Sequence, residues 1–278
     1  MCDVCGCSES KEMLLTNLQT GRHVHLDLNG HETAEHSHSH SHEIPHVHRQ
    51  IHSHPSSRSG LGHIIRVEES LLKHNDVAAQ RNREWFQKRG ILALNFMSSP
   101  GAGKTTILER LLRELSGEKF YVVEGDQATL RDAERIHATG APVVQVNTGA
   151  SCHLTAESIS AAVRQLNPTP DSTVIIENVG NLVCPALFDL GQQARIVVAS
   201  VTEGDDKPLK YPHMFRVADL VLLNKIDLAP HVDFQPELFE KYARERNPDV
   251  EILRVSAKTP GGLNPLYLWL RGRKHLLV

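Results

Sequence analysis

Ser98-Ser99-Pro100-Gly101-Ala102-Gly103-Lys104-Thr105 follows the apolar run Ile91 to Met97 and opens a stretch with helical spacing. A strand, a turn of small residues ending in Gly-Lys-Thr, then a helix is the context a phosphate-binding loop requires. Small residues let backbone N–H groups close on phosphate oxygens, and the helix N-terminus adds a favourable dipole. In that reading Pro100, Gly101, Ala102, Gly103, Lys104, Thr105 and Thr106 form the cradle. Lys104 reaches the outer phosphates and supports their transfer, while the Thr105 hydroxyl binds Mg²⁺. The general G-x-x-x-x-G-K-[ST] pattern has Gly where Ser98 stands. A plain turn before a helix is the competing reading, and Gly-Lys-Thr directly after a buried strand disfavours it.

The loop sits in a repeating pattern. Strands are expected at Ile91–Met97, Phe120–Glu124, Val143–Asn147, Thr173–Asn178, Arg195–Val201, Leu220–Asn224 and Glu251–Ser256, with crossover helices such as Thr105–Leu115 and Thr129–Ala138 between them. Continuous apolar strands separated by helices imply an α/β fold whose mostly parallel sheet carries helices on both faces. Ligands in such sheets bind at the carboxyl ends of the strands, and the phosphate loop lies at such an end.

Asn224-Lys225-Ile226-Asp227 closes the strand Leu220–Leu223. An Asn-Lys-x-Asp loop reads guanine. The Asp227 carboxylate accepts from the base's N1 and N2 hydrogens, the Lys225 stem packs along the ring, and Asn224 braces the loop. Four residues alone are a weak signal and could be an exposed polar turn. Ser256-Ala257-Lys258 after the last strand, with the Ala257 N–H as donor to the guanine O6, completes a third loop in the expected order, so GTP or GDP is the expected ligand. Asp126 follows the second strand, and Glu177 with Gly180 follows the fourth. An acidic residue and a glycine three positions on suit Mg²⁺ or the attacking water plus a γ-phosphate contact. The roles of Asp126 and Glu177 stay open between those two, and a capping role for either is the plainer alternative. No residue stands out as an arginine finger, so slow turnover is expected.

The first 63 residues differ in kind. They hold Cys2, Cys5 and Cys7 and most of the chain's 18 histidines, with few large apolar residues. Such a composition cannot offset the entropy of ordering, so residues 1–63 are expected to be largely disordered without metal. Cys-x-x-Cys-Gly-Cys can wrap one soft ion: planar for Ni²⁺, tetrahedral for Zn²⁺. The His tract suits loose buffering more than one defined site. Residues 64–89 are expected to form a helix ended by Gly90, and residues 90–278 the nucleotide-binding domain. Across the 278 residues the hydrophobic share is 40%, the charged share 23% and the formal net charge −3, which gives no sign of a nucleic-acid or membrane surface. The longest apolar runs are too short to span a bilayer, and no secretory signal is evident, so a cytoplasmic location is expected. Thiols stay reduced there, so the five cysteines read as ligands or buried thiols.

Cys152 and His153 follow the third strand, and Cys184 lies four residues beyond Gly180. Adjacent strand ends could join them into an internal Ni²⁺ or Zn²⁺ site with one open position, although single buried cysteines are commonly inert. A metal there would sense the γ-phosphate loop.

Taken together, Cys-x-x-Cys-Gly-Cys, the His tract, Ser-Ser-Pro-Gly-Ala-Gly-Lys-Thr-Thr, Glu-Gly-Asp-Gln, Asn-Thr-Gly-Ala-Ser-Cys-His-Leu, Glu-Asn-Val-Gly-Asn-Leu-Val-Cys-Pro and Asn-Lys-Ile-Asp resemble the hydrogenase nickel-incorporation GTPases, the HypB family. Ser98 matches that family's loop. The resemblance implies a SIMIBI-like P-loop GTPase that helps deliver Ni²⁺ to the [NiFe]-hydrogenase large subunit. It implies a small zinc-containing nickel chaperone as partner and a homodimer controlled by metal and nucleotide. It also implies a tight nickel site at Cys2, Cys5 and Cys7, and an internal nickel or zinc site at Cys152, His153 and Cys184. A nickel-storage protein with a regulatory GTPase domain, or a maturation GTPase for another nickel or cobalt enzyme, stays as an alternative.

Overall fold

The computed structural model describes residues 12–27, 32–37, 61–127, 129–149 and 151–275. Ten strands form one sheet in the order β10-β9-β8-β4-β7-β5-β6-β1-β2-β3. In chain order they are β1 Glu12–Asn17, β2 Arg22–Asp27, β3 Glu32–Ser37, β4 Leu92–Ser98, β5 Phe120–Asp126, β6 Val143–Asn147, β7 Thr173–Glu177, β8 Ala194–Ser200, β9 Leu220–Asn224 and β10 Glu251–Arg254. The helices are α1 Leu61–Lys88, α2 Lys104–Glu114, α3 Arg131–His137, α4 Ala156–Leu166, α5 Cys184–Leu187, α6 Lys207–Lys210, α7 Pro212–Arg216, α8 Pro236–Arg246 and α9 Asn264–His275.

Strands β4 to β10 are all parallel to their neighbours within that group. Their side chains alternate between two buried faces. Leu94, Phe96, Val122, Ile175 and Ile196 pack with Ile107, Leu111 and Ile136 from α2 and α3, and with Leu266 and Leu270 from α9. Ala93, Val123, Val144, Val174 and Ile176 pack with Phe86 of α1 and Ile159 and Val163 of α4. Met97, Val197, Val221 and Leu223 meet Phe215 of α7 and Phe239 of α8. Helix α4 starts cleanly because the Thr155 side chain accepts from Ser158 N–H while Ser158 reaches back to the Thr155 N–H.

Residues 12–17, 22–27 and 32–37, expected to lie without fixed structure, instead form an antiparallel extension of the sheet, with β1 pairing β6. The reason is alternation. Met13 and Leu15 on β1, and Val24 and Leu26 on β2, share one face and are buried in the core with Val144 and Val146. Four apolar side chains suffice because the edge of β6 supplies a ready hydrogen-bond ladder. The turn between β1 and β2 is fixed by Asn17 Oδ1, which accepts from the Gln19 and Thr20 N–H groups. The expected helix over residues 64–89 is α1, and among the described residues no helix is long and apolar enough to cross a membrane.

Candidate nucleotide and metal site

The phosphate loop follows β4 directly, and Lys104 opens α2. Gly103 adopts φ +99, and a Cβ there would lie 2.5 Å from Asn224 Nδ2, so this turn needs glycine on two counts. Asn224 donates to the Ala102 carbonyl at 2.9 Å, and Lys225 Nζ donates to the Gly101 carbonyl at 2.9 Å. Asn224 Oδ1 also accepts from the Ala257 N–H at 3.4 Å, so that N–H points to Asn224 and the three loops brace one another. Ser256 Oγ accepts from the N–H groups of Lys258 and Thr259.

Glu177 is fully buried at the end of β7. Its Oε1 accepts from Lys104 Nζ at 2.8 Å and from Thr105 Oγ1 at 2.5 Å. Its Oε2 has no hydrogen-bond partner among the described residues. Gly180 brings the next segment against the loop, where a Cβ would meet Pro100 at 3.3 Å. Asp126 lines the same cavity of about 520 Å³ as Lys104, Thr105, Thr106 and Gly180. Both of its oxygens are already engaged: Oδ1 accepts from Gln127 N–H, and Oδ2 accepts from Thr129 N–H and Oγ1. These contacts hold the turn after β5; the N-cap of α3 is Leu130, so Asp126 does not cap that helix.

Two residues of this cavity escaped the sequence reading. Glu124 stands level with Glu177 on the neighbouring strand and with Gln145 on the other side. It is 2% exposed, and burial, reinforced by the Glu177 charge, pushes its carboxyl up to about 9. A carboxylate at the end of an otherwise apolar strand was the available signal. Arg135 of α3 donates to Thr106 Oγ1 at 3.2 Å and to Glu109 at 2.9 Å, placing a guanidinium at the cavity wall. One arginine on an exposed helix face gave no signal.

The fit to ligands rests on orphaned atoms. Asp227 Oδ1 is buried without a partner among the described residues, the acceptor a base edge with adjacent N–H donors would use. The Glu177 carboxylate, with Oε2 unpartnered among the described residues and Oε1 bonded to the Thr105 hydroxyl, suits a hard cation together with that hydroxyl.

Cys152, His153 and Cys184 come together as expected, their ligand atoms all within 4.8 Å of one another. Cys184 opens α5 and is 9% exposed, and Cys152 is half-buried. Cys152 Sγ is 3.8 Å from His153 Nδ1, and Asn181 Nδ2 is 3.9 Å from Cys184 Sγ. The His153 ring stacks on Phe188 with centroids 3.8 Å apart. Burial lowers its pKa to about 4, so the imidazole is neutral at pH 7, the form that ligates metals. Two sulfurs and one nitrogen suit a soft or borderline ion such as Zn²⁺ or Ni²⁺. Cys2, Cys5 and Cys7 lie outside the described residues.

Residues 92–254 match the family described as CobW/HypB/UreG, nucleotide-binding domain. The hydrogenase maturation factor HypB of Rhizobium leguminosarum bv. viciae is 52% identical over 208 residues, which span 74% of this chain and 70% of that protein. This chain belongs to the HypB family. The hydrogenase maturation factor HypB of Escherichia coli K12 is 50% identical over 212 residues, 76% of this chain and 73% of that one. The crystal structure of HypB from Helicobacter pylori in complex with nickel overlays with a TM-score of 0.68 at 42% identity, covering 72% of this chain and 95% of that one. The HypB family assignment makes residues 92–254 a nucleotide-binding domain. It agrees with the P-loop architecture of β4 and α2.

Proposed function

We propose that this protein is a GTP-hydrolysing nickel metallochaperone that assists insertion of Ni²⁺ into the large subunit of a [NiFe]-hydrogenase. The observation that carries this reading is one segment, residues 177–184. Its first residue holds Lys104 and Thr105 of the phosphate loop, Gly180 abuts Pro100, and its last residue is Cys184 of the metal cluster. The Lys104 ammonium pairs with Glu177 at 2.8 Å. A γ-phosphate entering the loop competes for that ammonium, which frees Glu177 and lets the segment shift. The Cys184 thiolate is at its far end, so nucleotide state and metal affinity become two readings of one element.

In this reading Pro100, Gly101, Ala102, Gly103, Lys104, Thr105, Thr106 and Gly180 contact the phosphates. Asn224, Lys225, Asp227, Ser256, Ala257 and Lys258 frame guanine. Mg²⁺ held by Thr105 with Glu177 or Asp126 would neutralise charge building on the phosphates. Cys152, His153 and Cys184 bind Ni²⁺ or Zn²⁺, and Cys2, Cys5 and Cys7 form a separate nickel site. The fourth position at the internal site suits water or a group from a second copy, in keeping with a homodimer. A zinc-containing nickel chaperone and the hydrogenase large subunit are the proposed partners, and the cytoplasm the proposed location.

The test is nickel affinity and stoichiometry of the protein alone, with GDP, and with a non-hydrolysable GTP analogue, repeated on Cys184→Ala. Nucleotide-dependent nickel binding that vanishes in the variant supports the proposal. Equal nickel binding in all three states overturns it in favour of a storage role.

A further inference from the structure

Helix α1 reaches the chain just past both arms of the metal cluster, at the first residue of α4 and just beyond α5, through two buried asparagines spaced two turns apart. Asn75, 3% exposed, accepts from the Ala156 N–H at 2.9 Å and donates to the Asp189 carbonyl at 2.7 Å. Asn82, 6% exposed, donates to the Ala156 carbonyl at 2.7 Å and to the Leu190 carbonyl at 3.1 Å. Each side chain thus touches both segments. Ala156 stands three residues after His153. Asp189 and Leu190 directly follow Phe188, the residue stacked on the His153 ring, and lie on the chain leading out of α5 and Cys184. Arg83 adds a tie to Asp189 at 2.5 Å. Gly191 has φ +85 and approaches so closely that a Cβ would sit 2.5 Å from the Ala79 carbonyl oxygen.

Helix formation does not explain these residues. Asparagine is a poor helix former, and a buried carboxamide costs free energy unless its hydrogen bonds are made. A leucine at either place would serve α1 as a packing element. What asparagine adds is directional contact with two segments that leave different strands, β6 and β7. The sheet ladder fixes those strands but not the loops beyond them.

We propose that α1 is a strap that positions the metal cluster, with Asn75 and Asn82 setting the separation of the Cys152–His153 loop from the Cys184 segment. They are positioning residues, comparable to the outer groups that orient ligands in metal proteins. The proposal rests on reading Cys152, His153 and Cys184 as a metal site.

The experiment uses the full chain carrying Cys2→Ser, Cys5→Ser and Cys7→Ser, with Co²⁺ as probe. Its thiolate charge-transfer band then reports only Cys152 and Cys184, and its d–d bands report coordination geometry. Asn75→Ala and Asn82→Ala are expected to weaken Co²⁺ binding about 10- to 100-fold and to move the d–d bands, with GDP affinity unchanged. Arg83→Ala cuts a half-exposed tie, shifts both readouts less in the same direction, and keeps the question open to test where an asparagine variant fails to fold. Folded variants with the parent's Co²⁺ affinity and band positions overturn the strap. So does a parallel loss of Co²⁺ and GDP binding, which marks general loosening. A parent protein with no thiolate band at all overturns the metal-site reading instead.

Discussion

The phosphate loop and the metal cluster both lie beyond the carboxyl ends of strands of one sheet, yet they are built by opposite means. The loop is local: Pro100 to Thr106 is contiguous, and its donors are largely backbone N–H groups whose placement follows from the strand-to-helix turn. The cluster is assembled: Cys152 and His153 come from the end of β6 and Cys184 from beyond β7, and helix α1 ties their segments together. A local site tolerates distant change. An assembled one depends on whatever holds its parts at the right separation.

The largest expected break between the two is Lys104→Ala. Removing one partner of a buried, hydrogen-bonded charge pair costs about 2–5 kcal/mol, so GTP affinity should fall at least about 30-fold. Isothermal titration with GTP checks this, and Co²⁺ binding at the cluster should persist. Loss of both would mean that the loop is a structural support for the cluster.

Cys184→Ala is the converse. Losing a ligand exceeds the loss of an outer positioning group, so metal affinity at the internal site should drop by more than about 10- to 100-fold. GDP affinity without metal should match the parent. An equal fall in GDP affinity would show that the segment from Glu177 to Cys184 serves nucleotide binding even when no metal is bound.

Asp227→Asn sharpens the nucleotide end alone. Hydrogen bonds to a charged acceptor contribute about 1.5–3 kcal/mol each, so GTP affinity should fall about 10- to 100-fold while xanthosine triphosphate gains. Competition between the two nucleotides is the measurement. Strict GTP preference in the variant would remove Asp227 from base recognition despite its orphaned oxygen.

The same contrast governs what the sequence reveals. The seven parallel strands were legible to within a few residues because each is built on a short apolar core, even β10, where Ile252 and Leu253 stand between Glu251 and Arg254, and the phosphate loop because its residues are contiguous. The hairpin of β1 and β2 was lost to composition. His23 and His25 beside Val24 and Leu26, and the polar, His-rich composition of the region as a whole, hid a core face that these share with Met13 and Leu15. Cys152, His153 and Cys184 were visible as residue types, but nothing local marked Asn75 or Asn82, since their partners lie 81 and 74 residues away. Glu124 was passed over because a strand end is also where ordinary polar residues begin.

Glu124 supplies the smallest prediction, one confined to the loop side. Its carboxyl is held neutral by burial beside Glu177, with a folded-state pKa near 9 against 4.5 in an exposed group. Between those values the folded state binds the extra proton. The stability this contributes is therefore complete below about pH 4.5 and drains away as pH rises toward 9. Glu124→Gln keeps the shape of the neutral acid and removes the titration. Nucleotide-free wild type and variant should match near pH 5. The variant should then gain relative stability up to pH 6.5, on the order of 2 kcal/mol, read by urea unfolding at each pH. Parallel curves would mean that Glu124 is ionised in the folded protein. The carboxylates at the ends of β5 and β7 would then carry two negative charges side by side, and Lys104 would have two partners to leave before a phosphate could claim it.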